Sequence, residues 1–236
     1  MTEIPKSVNT HIRRAEPADA PGITRIIRAA WTEYNPDVSP TVIPQHMTFV
    51  AERDPVGIIG FVDSFATQRD EDDAPVRWEI DWLAVDPKNH GHGTGTALIA
   101  AATEAGRAAH ASVARALVRL GNSASEKAFE KNGFKPQPDV LALYISDNPL
   151  KELRSVADHR KSYLITVNRL NDTAIWIEGE ITDRVLQQAR YVIGVRGWHA
   201  AGALIPRTDR KLLTLVDAEG YKHVANYRQY IFKYKA

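Results

Sequence analysis

Apolar residues switch repeatedly between two periods along the first 146 positions, and the switches mark alternating helices and strands. Ile23, Ile26, Ile27, Ala30, Trp31 and Tyr34 recur at helical spacing behind Asp19, a fitting N-cap, and Pro21, which suits a first turn. Residues 11–15 before them read as a short strand. Pro36, Pro40 and Pro44 then break the chain into a segment with room for one short helix. Residues 48–52 and 56–66 read as strands around the Arg53-Asp54-Pro55 turn, and 76–85, 113–120 and 139–146 as three more. An alanine-rich helix is expected over about 94–110 and another from Asn122. Asn148-Pro149 marks a boundary, because the residue before proline is pushed out of helical geometry. Beyond it, 163–170 and 174–181 read as strands joined by the Asn171-Asp172 turn, 183–195 as a helix and 212–217 as a strand. The pattern predicts an α/β (α+β) protein divided into residues 1–148 and 149–236, with no internal repeat.

The chemistry concentrates where the strand ending at Val85 gives way to a helix. The intervening stretch, VDPKNHGHGTGTAL, places Gly91, Gly93 and Gly95 on alternate positions just before the helical pattern begins. Small residues leave backbone N–H groups uncovered, and a helix start favours negative charge, so this loop should cradle a phosphate. It is not a Walker loop, since Gly95 is followed by Thr96 with no lysine between. Nor is it a dinucleotide fingerprint, which needs glycine where Thr96 stands.

The segment resembles the pyrophosphate loop of the GCN5-related N-acetyltransferase (GNAT) family, Arg/Gln-x-x-Gly-x-Gly/Ala after a strand ending in Val-x-Pro. His90, Gly93 and Gly95 occupy its positions, with His90 a departure from the pattern. A second match follows in the right order: Asn122 at a helix start, Phe129 seven residues later, then Gly133 and Phe134. The resemblance covers residues 10–146. It implies a mixed central sheet with a splayed strand pair, to which the C-terminal residues add a small α+β domain. It also implies an acyltransferase that moves an acetyl group from acetyl-CoA directly to a primary amine in a ternary complex. By the same resemblance the N–H groups of His92, Gly93, Thr94, Gly95 and Thr96 hold the cofactor, with Gly91 in the loop and His90 and His92 as added donors. Leu83, Ala84 and Val85 would pair with the pantetheine arm, and Asn122 and Phe129 would lie near it.

Two carboxylates compete for the role of base. Strand alternation places Glu79 and Asp81 on one face and Trp78, Ile80 and Trp82 on the other. Glu79 stands six residues before Val85, where the histone-acetyltransferase branch of the family carries its general base. A carboxylate in a partly apolar cleft is pushed toward neutrality, which suits a base. Many family members have tyrosine where Phe129 stands. A phenyl ring donates no proton, so the acid would be another group, such as Tyr144 or solvent, or the protein would bind coenzyme A without catalysis. The acidic run Asp70, Glu71, Asp72, Asp73 suits either a cationic amine or a solvated hairpin.

Composition narrows the classes. The chain has 0 cysteines, which excludes thiolate nucleophiles, thiolate metal sites and disulfides. His90 and His92 have no further ligands at a suitable spacing, so no metal is expected. No stretch approaches a membrane span and the opening MTEIPKSVNTHIRR has no apolar signal core, so a cytoplasmic location is expected. The near-neutral total hides an asymmetry: residues 1–150 carry 15 Lys and Arg against 20 Asp and Glu, and residues 151–236 carry 15 against 9. With Trp176, Trp198, Tyr221, Tyr227, Tyr230 and Tyr234, the basic half suits a nucleic-acid partner, unless these aromatics form its core.

Overall fold

The computed structural model describes residues 10–31, 37–69, 74–153 and 155–235. Tyr34, Pro36 and the acidic run at 70–73 lie outside the described residues. The N-terminal half runs β1 (Thr10–Arg14), α1 (Ala20–Ala30), β2 (Phe49–Arg53), β3 (Gly57–Thr67), β4 (Arg77–Val85), α2 (Thr94–Ala108), β5 (Val113–Arg119) and α3 (Ser123–Lys131). The chain continues through β6 (Lys135–Ser146), β7 (Ser162–Asn168), β8 (Thr173–Gly179), α4 (Asp183–Arg196), β9 (Ala200–Pro206), α5 (Arg210–Ala218) and β10 (Lys222–Lys233). Together the described strands make one ten-stranded mixed sheet in the order β1-β2-β3-β4-β5-β10-β6-β9-β8-β7.

This order contains a duplication that the sequence does not reveal. In the first half an antiparallel pair, β3–β4, leads through α2 to β5, which lies parallel to β4. In the second, the antiparallel pair β7–β8 leads through α4 to β9, parallel to β8. Each unit then passes through a short helix, α3 or α5, into a strand that pairs with the other unit. β6 lies against β9, β10 lies against β5, and the two exchanged strands pair with each other at the centre. The expectation of no repeat is therefore corrected, because the likeness is one of topology, carried by non-local pairing.

Three element assignments also change. Residues 212–217, expected as a strand, belong to α5. The Asp209 side chain accepts a hydrogen bond from the Leu212 N–H at its start, and Leu212, Leu213 and Val216 face the C-terminal core at helical spacing. Neither β9 nor β10 had an expected counterpart; the AAGALIP run of β9 is short, alanine-rich and buried on both faces, so period two is invisible in it.

Three cores hold the halves together. One lies between α2 and the sheet and includes Phe129, Phe134 and Tyr230 of the exchanged β10. A second, around α4, belongs to the C-terminal unit. The third, around α1, contains Leu170 from the tip of the β7–β8 hairpin, fully buried with Ile23, Ile27, Phe61 and Ala84. The hairpin of the second half is thus plugged into the first, beside the C-terminal end of β4.

Candidate functional site

β4 and β5 pair only from Arg77–Glu79 to Val113–Arg115, after which β4 continues to Val85 with no ladder on that side. A bulge accompanies the parting. The β3 register shifts between Phe61 and Asp63, and Trp82 takes a left-handed φ of 46°, a conformation rare for a bulky residue. Its indole packs edge-on against Trp31 of the α1 terminus at 5.6 Å. The strand therefore presents an unpaired backbone edge.

The glycine loop opens onto that edge. Gly91 and Gly93 have φ of 82° and 77°, and Gly93 is the N-cap of α2. A Cβ at either would meet no atom within 4 Å, so these glycines serve the backbone conformation and leave open space above the amides. The His90 ring Nε2–H donates to the Val85 carbonyl at 2.8 Å, tying the loop back to the strand end. Asn89, buried, accepts from the Arg53 guanidinium at 2.8 Å and anchors the loop to β2. At the first helical position, the buried Thr94 hydroxyl has no hydrogen-bond partner, an orphan that an anion in the cleft would satisfy.

These parts line one cleft of about 460 Å³. It brings together Leu83, Ala84, Val85, His90, Gly91, Gly93, Thr94, Gly95, Thr96 and Asn122. His92 is exposed and does not line it. Phe129 is turned into the α2 core against Phe134 and Tyr230, so its ring has no access to the cleft. The Asn122 side chain caps α3, accepting from the Ser125 N–H, and also borders the cleft. Sequence reasoning missed Trp31, Lys127 and Lys131. The two lysines stand one helical turn apart on α3, a spacing that could have flagged a cationic edge for phosphates.

The two acidic candidates differ sharply in surroundings. Glu79 is bound by Arg115, whose Nη2 lies 2.6 Å and Nε 3.0 Å from its Oε1, and it accepts from Thr67 as well. Arg115 also reaches Glu178 of β8 at 3.0 Å, and Arg77 reaches the same carboxylate at 2.6 Å. Asp81, two residues on, has its carboxyl pushed up to about 6 by burial, against the pull of the Arg169 guanidinium and of the Trp82 backbone N–H. Asp63, opposite it on β3, is fully buried and accepts from Thr48 at 2.9 Å and from the His46 ring at 3.1 Å. Tyr227 of β10 has its phenol raised by burial, opposed by Arg119 and reinforced by Asp81. Tyr144 belongs to the C-terminal core.

The aromatic residues of the basic half are largely spent in packing. Tyr221 and Tyr230 are buried, Trp198 packs on the C-terminal core, and Tyr234 donates to the Thr103 carbonyl. Among the described residues no cluster of metal-ligating side chains is present, and no helix is long and apolar enough to cross a membrane.

A glycine loop at a helix start, opening onto the free edge of a strand that has parted from its neighbour, defines an acyl-CoA-dependent acetyltransferase architecture. Residues 44–136 match the acetyltransferase (GNAT) domain model. The match marks residues 44–136 as a GNAT-type N-acetyltransferase domain, a kind of domain that takes acetyl-CoA as donor. No curated protein matches the sequence. Among solved structures, a candidate acetyltransferase from Pyrococcus horikoshii is 14% identical with a TM-score of 0.62, over 100% of this chain and 94% of its own. A GCN5-related N-acetyltransferase from Sphaerobacter thermophilus is also 14% identical, with a TM-score of 0.57 over 95% of each chain. The glucosamine N-acetyltransferase region of a fungal multi-domain β-N-acetylglucosaminidase aligns at 14% identity and a TM-score of 0.60, over 98% of this chain and 39% of that one. At such identities the likeness is one of fold, and it extends through both halves.

Proposed function

We propose that the protein transfers an acetyl group directly from acetyl-CoA to a primary amine held between its two halves, with Asp81 as general base. The observation that carries this reading is the continuity of β4: its Leu83–Val85 edge lines the phosphate-loop cleft, while Asp81 faces the space beneath the C-terminal half.

The residues present fit the cofactor. Loop amides behind Gly91 and Gly93, the Thr94 hydroxyl and the α2 N-terminus would hold the diphosphate, and Lys127 and Lys131 would meet further phosphate charge. The open edge at Leu83–Val85 would bind the pantetheine amides and offer an N–H to the thioester oxygen. The bound cofactor supplies the activated acetyl carbon. Asp81 takes a proton from the acceptor's ammonium and so frees the nitrogen lone pair that attacks the acetyl carbon, and its raised pKa suits a base near neutral pH. Glu79, held by Arg115 and Thr67, keeps the strand pair closed at the point where it begins to part. With the Phe129 ring turned into the core, solvent protonates the departing thiolate. At the equivalent place in the C-terminal unit β8 reaches α4 through Glu180, Ile181 and Thr182, with Asp183 in the first turn, a pair of negative charges that would repel a phosphate.

The test is equilibrium binding of acetyl-CoA, with thermal stability as the readout. One cofactor per chain is expected, and saturation at about 100 times the dissociation constant adds roughly 2.7 kcal/mol. No shift and no binding heat would remove the reading.

A further inference from the structure

The inner face of the sheet forms a slot between β3–β5 and the β7–β8 hairpin, distinct from the cofactor cleft. Its walls are apolar: Phe65 and Leu117 from the first half, Ile165, Val167 and Trp176 from the second. Its floor carries Glu79, Arg115 and Glu178, and Asp81 stands toward the parting of β4 from β5. The slot is narrow, about 30 Å³.

We infer that this slot is the acceptor site and that it selects a primary amine at the end of an unbranched apolar chain, an inference that rests on the acetyl-transfer reading above. Three observations point there. The walls offer hydrophobic burial along the stem of a ligand and few polar groups to read it, the usual division of labour in a small-molecule site. The floor carboxylates are already matched, since Glu79 is bound by Arg115, and Glu178 by Arg115 and Arg77. A second ammonium on the ligand would therefore meet Arg115 without a carboxylate to spare, and polyamines are disfavoured. A slot of about 30 Å³ has room for a single file of atoms and not for a branch beside the amine, which rules against peptide N-termini, whose α-carbon carries both a side chain and a carbonyl.

The same stem could belong to a free alkylamine or to a lysine side chain, and the experiment separates them. Acetylation by the full-length protein is measured with ethylamine, n-propylamine, n-butylamine, sec-butylamine, spermidine, a peptide with a free N-terminus and no lysine, and an N-terminally blocked peptide with one lysine. Binding of the same alkylamines is followed by calorimetry without acetyl-CoA. The efficiency kcat/KM should rise up to about fourfold per added methylene, the equivalent of one buried CH₂. sec-Butylamine, spermidine and the free N-terminus should be poor. Trp176→Ala should raise the amine KM about tenfold while the acetyl-CoA KM stays within twofold, and Ile165→Ala should improve sec-butylamine, a gain that simple loss of stability would not produce. Turnover of the lysine peptide equal to that of n-butylamine assigns a protein acceptor; preference for n-butylamine assigns a free amine. A flat chain-length series, or preference for spermidine or the free N-terminus, overturns the inference while leaving acetyl transfer intact. Chain-length-dependent binding without any turnover keeps the slot and overturns acetyl transfer. Neither binding nor turnover overturns both.

Discussion

Asp63 and Asp81 stand directly opposite each other in the β3–β4 ladder, yet only Asp63 has a neutral hydroxyl and an imidazole arranged to satisfy both of its oxygens. Asp81 feels that neighbour as a like charge, on top of a larger penalty from burial, and its pKa rises to about 6. Two carboxylates on one face of one hairpin are thereby given different tasks, one structural and one open to proton transfer.

Asp81→Asn should lower kcat by roughly 10²–10⁴ and erase an acid limb of the pH–rate profile centred near 6. The sign follows from the base needing to be ionised, so activity climbs as pH rises through that value. Stability runs the other way. A carboxyl with a raised folded pKa favours the folded state when protonated, and that contribution is lost as pH climbs from about 4 to about 6. The variant should therefore be more stable than the parent at pH 8, by about 1–3 kcal/mol, and show little gain at pH 3.5. Urea titrations at the two pH values check it.

Glu79→Gln should leave kcat within about tenfold, because the Glu79 carboxylate is engaged by Arg115 and Thr67. Arg115→Leu, by contrast, strands Glu79 and Glu178 together without their shared cation and should cost about 3–5 kcal/mol. A Glu79→Gln enzyme as inactive as Asp81→Asn would return the base role to Glu79. Steady-state assays beside denaturant melts separate the two effects.

Much of this site could be read from the sequence, because its information is local. The glycine loop, β4, α2 and the Asn122 cap each depend on residues within about ten positions, and alternation alone placed Glu79 and Asp81 on one face. That Glu79 and not Asp81 sits opposite Arg115 depends on the β4–β5 register, and no local pattern encodes that pairing. The same holds for Phe129: helical spacing allows it to face either the cofactor or the core, and Phe134 and Tyr230, the latter about a hundred residues away, decide for the core. The exchange of β6 and β10 is the extreme case. Each strand carries an ordinary β pattern, and only the sheet order reveals that its partner lies in the other half.

Gly93→Ala should weaken acetyl-CoA binding by at least about tenfold while costing the free protein only about 1–2 kcal/mol. Its Cβ would meet no protein atom, so the stability loss comes from the left-handed φ of 77° alone, whereas the added methyl intrudes on the space above the loop amides. Calorimetric titration with acetyl-CoA and a thermal melt of the free protein give the two numbers. Equal losses in a Gly57→Ala control, also at positive φ but in the β2–β3 turn, would show that the loop is merely a turn.

Removal of residues 221–236 should abolish the fold of both halves rather than trim the second. β10 fills the gap between β5 and β6, pairing with β5 from Tyr227 to Lys233 and with β6 from Lys222 to Ile231. Its loss leaves two facing strand edges unpaired, which invites association between chains. It also removes Tyr230, 1% exposed, from the α2 core and Tyr221 from the α4 core, each truncation worth several kcal/mol against a typical total of about 5–15. Residues 1–148 expressed alone face the same deficit, because β5 would lack its outer neighbour and β6 would lack both β9 and β10. The expected result is aggregation, or a species that binds hydrophobic dye and unfolds without cooperativity. A monomeric 1–148 fragment with a sharp urea transition and native affinity for acetyl-CoA would show that β6 can fold back beside β5 in place of β10, and that the exchange contributes little to stability.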